Sequence, residues 1–220
     1  MTNPYTPPAT SSTTVQTAET LPLELDITMK LIALAPQFYL HDKRGRQVGY
    51  IRQKLFKLKE AIEVFHDDSK ERLSYSIKAD RILDFGAAYS LISTHHGIIG
   101  HTKRHAIKSI WRTEFDIYDE HNQHQYTIRL SNPLAQFIES LITMIPFIGD
   151  ILNLVSGYFL NAGYTVTDLD DNEVAHMKKL PALFEGKYQI RAERKLSAQD
   201  QERIALSLLT VILIQRASDG

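Results

Sequence analysis

One pattern recurs five times along this 220-residue chain, and it leaves little freedom in the choice of fold. Phe38–Asp42 leads to Val48–Arg52, Ile62–Asp67 to Leu73–Lys78, Tyr89–Thr94 to Ile98–Arg104, Phe115–Asp119 to Gln125–Arg129, and Tyr164–Asp168 to Val174–Lys178. Each copy has an alternating strand, a polar turn opened by Asp (Thr in the third copy), and a second strand ending on a base. The turn residue and the base stand about ten positions apart. Alternation at period two with β-branched and aromatic residues marks a half-buried strand. Asp and Gly supply the local hydrogen bonds and permissive backbone angles of a tight turn. The first four turns follow one another at roughly 25 residues, and the fifth comes after about twice that, leaving room for one insertion. A meander of hairpins must close or be covered, because an open sheet leaves an unpaired edge. Further strands are expected at Ile27–Leu34, around Ile82–Phe85 and at Lys187–Arg194. The count is then about a dozen, the generous end for one closed antiparallel barrel.

Two segments break the pattern. Residues 133–161 are strongly apolar and are divided by Pro146 and Gly149, which reads as two short helices with a break between them. Glu139 and Asp150 interrupt them, and neither half reaches the ~20 apolar residues that span a bilayer. Three roles fit: packing over a barrel end, lying in a membrane interface, or making an oligomer contact. Residues 197–217 read as a helix with Ser197 as N-cap, Asp200 and Glu202 near its start and Arg216 near its end. Its middle, Ile204–Ile214, is apolar on every face and too short to span a membrane, so it must be buried. The lumen of a wide barrel would cover it on all sides. The expected fold is therefore mainly β: a closed antiparallel barrel of about twelve strands around a central hydrophobic C-terminal helix, with a short helical insertion. This domain occupies 21–220. Residues 1–20, rich in Thr, Ser and Pro, are expected to be a disordered tail with no secretory signal, and a cytoplasmic location is the default.

These features together resemble the tubby C-terminal-like superfamily, within it the LURF-one-related and phospholipid-scramblase-like branch. The resemblance rests on the repeated hairpins, Ile145-Pro-Phe-Ile-Gly149, Gly163-Tyr-Thr-Val-Thr-Asp168 and the closing apolar helix, and spans Ile27 to Arg216. It implies a twelve-stranded barrel wrapped around a central helix, and a role at lipid surfaces. The chain departs from the scramblase-like members in lacking their cysteine-rich and calcium-binding segments, and no tubby phosphoinositide motif can be carried over.

Candidate sites are of three kinds. Lys103, Arg104, Lys108 and Arg112 form a basic group beside Trp111 that could meet lipid phosphate, with Arg52, Lys54, Lys57 and Lys59 as a second group. The plainer reading is a solvated strand face. His95, His96, His101, His105, His121 and His124 could gather on a metal, but neighbouring strand residues face opposite sides and no carboxylate lies close enough in sequence to complete the set. Carboxylates cluster at the turns, and Asp168–Glu173 is a passable oxygen-ligand loop without the glycine and distal glutamate of an EF-hand. Turn chemistry accounts for them without a metal. With no cysteine there is no thiol chemistry, and no nucleophile-elbow, P-loop, dinucleotide or zinc-protease motif occurs. The formal net charge of −1 gives no global attraction for nucleic acid.

The leading expectation is a non-catalytic binding or scaffold domain with no cofactor or metal, engaging anionic phospholipid or a membrane-associated partner. Its contacts would be the basic group and Phe137, Ile145, Phe147 and Ile148 of the apolar segment. The alternatives are a protein–protein module that self-associates through that segment, and an enzyme or small-ligand carrier using a barrel cavity.

Overall fold

The computed structural model describes residues 20–32, 35–52, 61–80, 87–105, 114–131, 163–182 and 186–218. Twelve antiparallel strands close into one barrel: β1 (Leu25–Ile32), β2 (Ala35–Asp42), β3 (Gln47–Arg52), β4 (Ile62–Phe65), β5 (Leu73–Ala79), β6 (Ala88–Ser93), β7 (Gly97–Arg104), β8 (Glu114–Tyr118), β9 (His124–Leu130), β10 (Gly163–Thr167), β11 (Glu173–Leu180) and β12 (Gly186–Ala192). Neighbours in sequence are neighbours in space, and β1 closes the ring by pairing with β12. The helix α1 (Ala198–Ser218) follows. The strand expected around Ile82–Phe85 and the insertion at 133–161 lie outside the described residues.

The five hairpins are one structure repeated. Each has a register shift just before its turn: at Leu40/His41, Val64/Phe65, Leu91/Ile92, Ile117/Tyr118 and Val166/Thr167. Three positions after the opening residue the backbone turns left-handed, at Gly45, Lys70, Gly97, Asn122 and Asp171. A tight turn followed by a left-handed residue and a bulge matches the twist of the flanking strands. The opening Asp secures it. Asp42 Oδ1 accepts the N–H groups of Arg44 (2.8 Å) and Arg46 (2.9 Å), Asp119 Oδ1 those of His121 (2.9 Å) and Gln123 (2.8 Å), and Asp168 Oδ1 those of Asp170 (3.0 Å) and Asn172 (2.9 Å). Partial burial alone would raise these three carboxyls. The N–H donors, helped by Arg46, Arg203 and Arg194 respectively, outweigh it and hold all three below their ordinary value.

The core is the lumen. Leu25, Ile27, Phe38, Leu40, Ile51, Ile77, Leu91, Phe115, Ile117, Ile128, Val166 and Ile190 point inward, and Ile204–Ile214 of α1 fills the space they enclose. Each such aliphatic side chain contributes about 1.5–3 kcal/mol when it leaves water. The hydroxyls of the helix interior are paired. Ser207 and Thr210 donate to the carbonyls of Arg203 and Leu206 one turn back, both at 2.8 Å. The hydroxyl of Thr102 on β7 donates to Ser207 Oγ at 2.7 Å. At the helix start, Ser197 Oγ accepts the N–H of Asp200 (3.1 Å), the N-cap bond expected of it.

The mouth where α1 enters is latched. The buried Arg203 donates to Ile99 O (2.8 Å), Asp200 (2.8 Å) and Glu120 (2.9 Å). Beside it, the Tyr75 hydroxyl donates to Glu202 and accepts the N–H of Leu21 (2.9 Å). Burial, then the Glu202 carboxylate, pushes the Tyr75 phenol up. Gly100 is required for this close approach, since a Cβ there would stand 2.4 Å from Tyr118 O and 2.9 Å from Arg203 Nε.

Two outcomes follow from this packing. Gly100→Ala forces β7 and β8 apart or displaces Arg203. It should cost about 2–3 kcal/mol, a fall of ~5–10 °C in the midpoint of a thermal melt followed by circular dichroism. The turn carboxylates give the acid dependence: with folded values below the ordinary carboxyl value of 3.8, their contribution is complete above that pH and is lost as pH falls through the depressed values. The triple variant Asp42→Asn/Asp119→Asn/Asp168→Asn should therefore be less stable to urea at pH 7, yet lose less on going to pH 3 than the parent.

Candidate functional surface

Because all five tight turns join an even-numbered strand to the odd-numbered strand that follows it, they lie at one rim, together with the entry of α1. The longer connections lie at the other rim, where Ser131 N donates to Gly163 O (2.8 Å) and brackets residues 132–162. The repeat thus has an axial meaning. Its opening Asp stands at the turn rim and its closing base stands at the opposite one. Carboxylates outnumber bases at the turn rim: Asp42, Asp67, Asp68, Glu71, Asp119, Glu120, Asp168, Asp170 and Asp171 stand in the hairpins, opposed there by Lys43, Arg44, Arg46, Lys70 and Arg72. Arg52, Lys78, Lys103, Lys178 and Lys179 stand exposed toward the other rim, joined by Lys30 and Lys187 and opposed among the described residues by Glu63, Asp80 and Glu114. Although the chain's net charge is −1, the charges of the described residues are separated along the barrel axis.

The members of the basic group behave differently. Thr102 faces the lumen, so Lys103 lies on the outer wall and Arg104 turns to the inner side of the rim, half-buried, where its charge acts on the buried phenol of Tyr89. Lys103 faces Asp116 across the β7–β8 pair. Asp116 is itself a hub: it is bonded by His105 Nε2 and accepts from Tyr118 OH (3.2 Å) and Thr127 Oγ1 (3.3 Å), with His124 Nε2 at 3.4 Å. The base of the fourth repeat, Arg129, is committed to Asp171 (2.6 Å) and Glu114 (3.3 Å). Lys108, Arg112, Lys54, Lys57, Lys59 and Trp111 lie outside the described residues, as do Phe137, Ile145, Phe147 and Ile148.

Other reactive groups have structural occupations. Ser90 Oγ and His101 Nδ1 are 3.2 Å apart as a cross-strand pair, and among the described residues no carboxylate bonds the imidazole to complete a nucleophilic triad. His95 and His96 are exposed in their turn, with ring centroids 6.5 Å apart. The acidic run after Asp168 is not a calcium loop in its arrangement: Asp168 caps its own turn and pairs with Arg194 (3.0 Å), while Asp171 pairs with Arg129. Among the described residues, grooves indent the wall. One, about 310 Å³, lies at the turn rim beside Leu21, Asp42, Arg44 and Tyr75. Another, about 520 Å³, runs along β10 and β11 past Ser131, Thr165, His176 and Lys178. Among the described residues, no helix is long and apolar enough to cross a membrane.

No protein-family model matches the chain, and no curated protein matches it. Among solved structures it is similar to the X-ray structure of a protein from Arabidopsis thaliana, at 11% identity over 90% of this chain and 94% of that one, with a TM-score of 0.45.

Proposed function

We propose that this domain is a non-catalytic scaffold that docks by its basic rim onto an anionic phospholipid surface, as a cytoplasmic, peripheral membrane protein. The observation that carries the reading is the axial separation of charge. The repeat delivers lysines and arginines to one rim, and Ser131 and Gly163, the described residues that flank the apolar segment 133–161 in sequence, stand at that same rim. Lys78, Lys103, Lys178 and Lys179 are exposed, and none of them pairs with a carboxylate among the described residues. Each basic side chain near an anionic leaflet contributes about 1 kcal/mol. Apolar residues beside such cations would add interfacial burial once the surface is reached. The filled lumen argues against a carrier, because α1 occupies the space a ligand would need. The resemblance to tubby-like and scramblase-like proteins points the same way. A membrane-associated protein with an acidic face is the variant of this reading that uses the same rim.

Co-sedimentation with phosphatidylserine-containing and pure phosphatidylcholine vesicles tests it. Binding to the anionic vesicles alone is expected, weakening as salt rises from 50 to 300 mM. Lys78→Glu/Lys103→Glu/Lys178→Glu should lower that binding tenfold or more, whereas Lys43→Glu/Arg44→Glu at the turn rim should leave it nearly unchanged. Equal binding to both vesicle types, or equal loss in the two variants, would overturn the proposal. Binding to neither moves the weight to self-association through 133–161, read by sedimentation velocity.

A further inference from the structure

A second site stands on the outer wall, near the turn rim and away from the basic rim. His176 lies on β11 with its side chain 20% exposed. Its Nδ1 is 2.5 Å from Glu193 Oε1, just past β12, and 3.9 Å from Glu173 Oε1 at the start of β11. All three donor atoms lie within 4.8 Å of one another.

The arrangement depends on the bulge of the fifth hairpin. Residues three apart on a regular strand face opposite sides of the sheet. Here Val166 pairs with Ala175 and Thr167 with Glu173, so Val174 is the extra residue. That insertion turns Glu173 onto the face of His176, the re-aiming that bulges perform. Glu193 is fixed on the other side, its N–H donating to Val174 O (2.9 Å) and so tying the end of β12 to the bulged residue itself.

The charge around the cluster is uncompensated. Arg191 is the cross-strand partner of His176, yet its guanidinium is turned to Asp26 (2.6 Å) and to the carbonyls of Leu25 and Ile190. Arg194 follows Glu193 directly, yet pairs with Asp168. Lys178 shares the face two residues on and makes no ion pair with either glutamate. Two carboxylates therefore share one imidazole, with no guanidinium or ammonium bonded to either among the described residues. Both arginines that could have neutralised them are held elsewhere.

We propose that Glu173, His176 and Glu193 bind one divalent transition-metal ion, of the zinc or manganese class, that clips β11 to β12. One imidazole and two carboxylate oxygens are a donor set these ions accept. A tetrahedral ion with bonds of ~2.0–2.1 Å holds its donors about 3.3 Å apart. The two distances from Nδ1 bracket that value, and the three donors lie within 4.8 Å of one another, so the spacing is within reach of one ion. All three residues line the groove along β10 and β11, from which water or a small anion could complete the shell.

The test is isothermal titration of the full chain, stripped with chelator and exchanged into metal-free buffer, with zinc chloride and separately with manganese chloride. One ion per chain is expected, together with a rise in melting temperature on adding metal. His176→Ala and Glu173→Gln/Glu193→Gln should each weaken binding at least tenfold and remove that rise, while keeping the metal-free melting temperature within a few degrees of the parent. His95→Ala/His96→Ala removes the exposed histidine pair and should change neither readout. Binding that survives in the His176 and glutamate variants but disappears in the His95/His96 variant would overturn the assignment, as would no binding by the parent chain at 100 µM metal.

Discussion

Everything in this structure follows from the need to fill the barrel. Twelve strands enclose a lumen too wide for their own inward side chains to meet across it. The occupant must be apolar on every face, because every face meets the wall. Ile204–Ile214 meets that demand, and the helix offers few polar groups that need a partner: Ser207 and Thr210 turn their hydroxyls back onto their own helix, and Thr102 supplies the one matching donor from the wall. With α1 buried in the lumen, the exposed charged groups of the described residues stand on the outside of the barrel and at its rims.

The polar latch at the mouth sets which end is which. Arg203 and Glu202 enter the barrel at the turn rim and remain buried there, each with partners from the wall. Their placement is the cost of starting an apolar helix from a charged first turn, and Gly100 leaves the room for it. The same polarity, acidic at the helix entry and basic at the far rim, comes from the repeat unit itself. A hairpin that closes on a base, and in four of its five copies opens on Asp, repeated in the same orientation, builds an electric axis without any change in net charge.

Much of the architecture was legible in the sequence because its signals are local. Period-two alternation marked the strands, the Asp marked the turns, and an apolar stretch with no polar face marked the central helix. The bulges were not legible. Lys70 and Asp171 occupy left-handed positions that composition alone assigns to glycine or asparagine, and only the register reveals them. Within the basic group, Lys103 and Arg104 are adjacent in sequence, and adjacency in a strand means opposite faces. Lys78 and Lys178, a hundred residues apart in the chain, share a rim that no sequence window could join. The cluster of Glu173, His176 and Glu193 was hidden by both effects, a bulge that changes a face and a neighbour supplied by the following strand. Of the six histidines that drew attention in the sequence, His95 and His96 sit exposed in a turn, while His105 and His124 meet at Asp116.

The ring is closed by its first and last strands, Leu25 standing opposite Ile190. A chain emerging from the ribosome would carry β1 with one edge bare through the synthesis of ten further strands, and the filling helix would come later still. Such distant pairing makes folding slow and exposes a nascent sheet to other chains meanwhile. The local turns temper this: each hairpin can close by itself within microseconds. Assembly then becomes a matter of joining ready-made pairs around a core that arrives last.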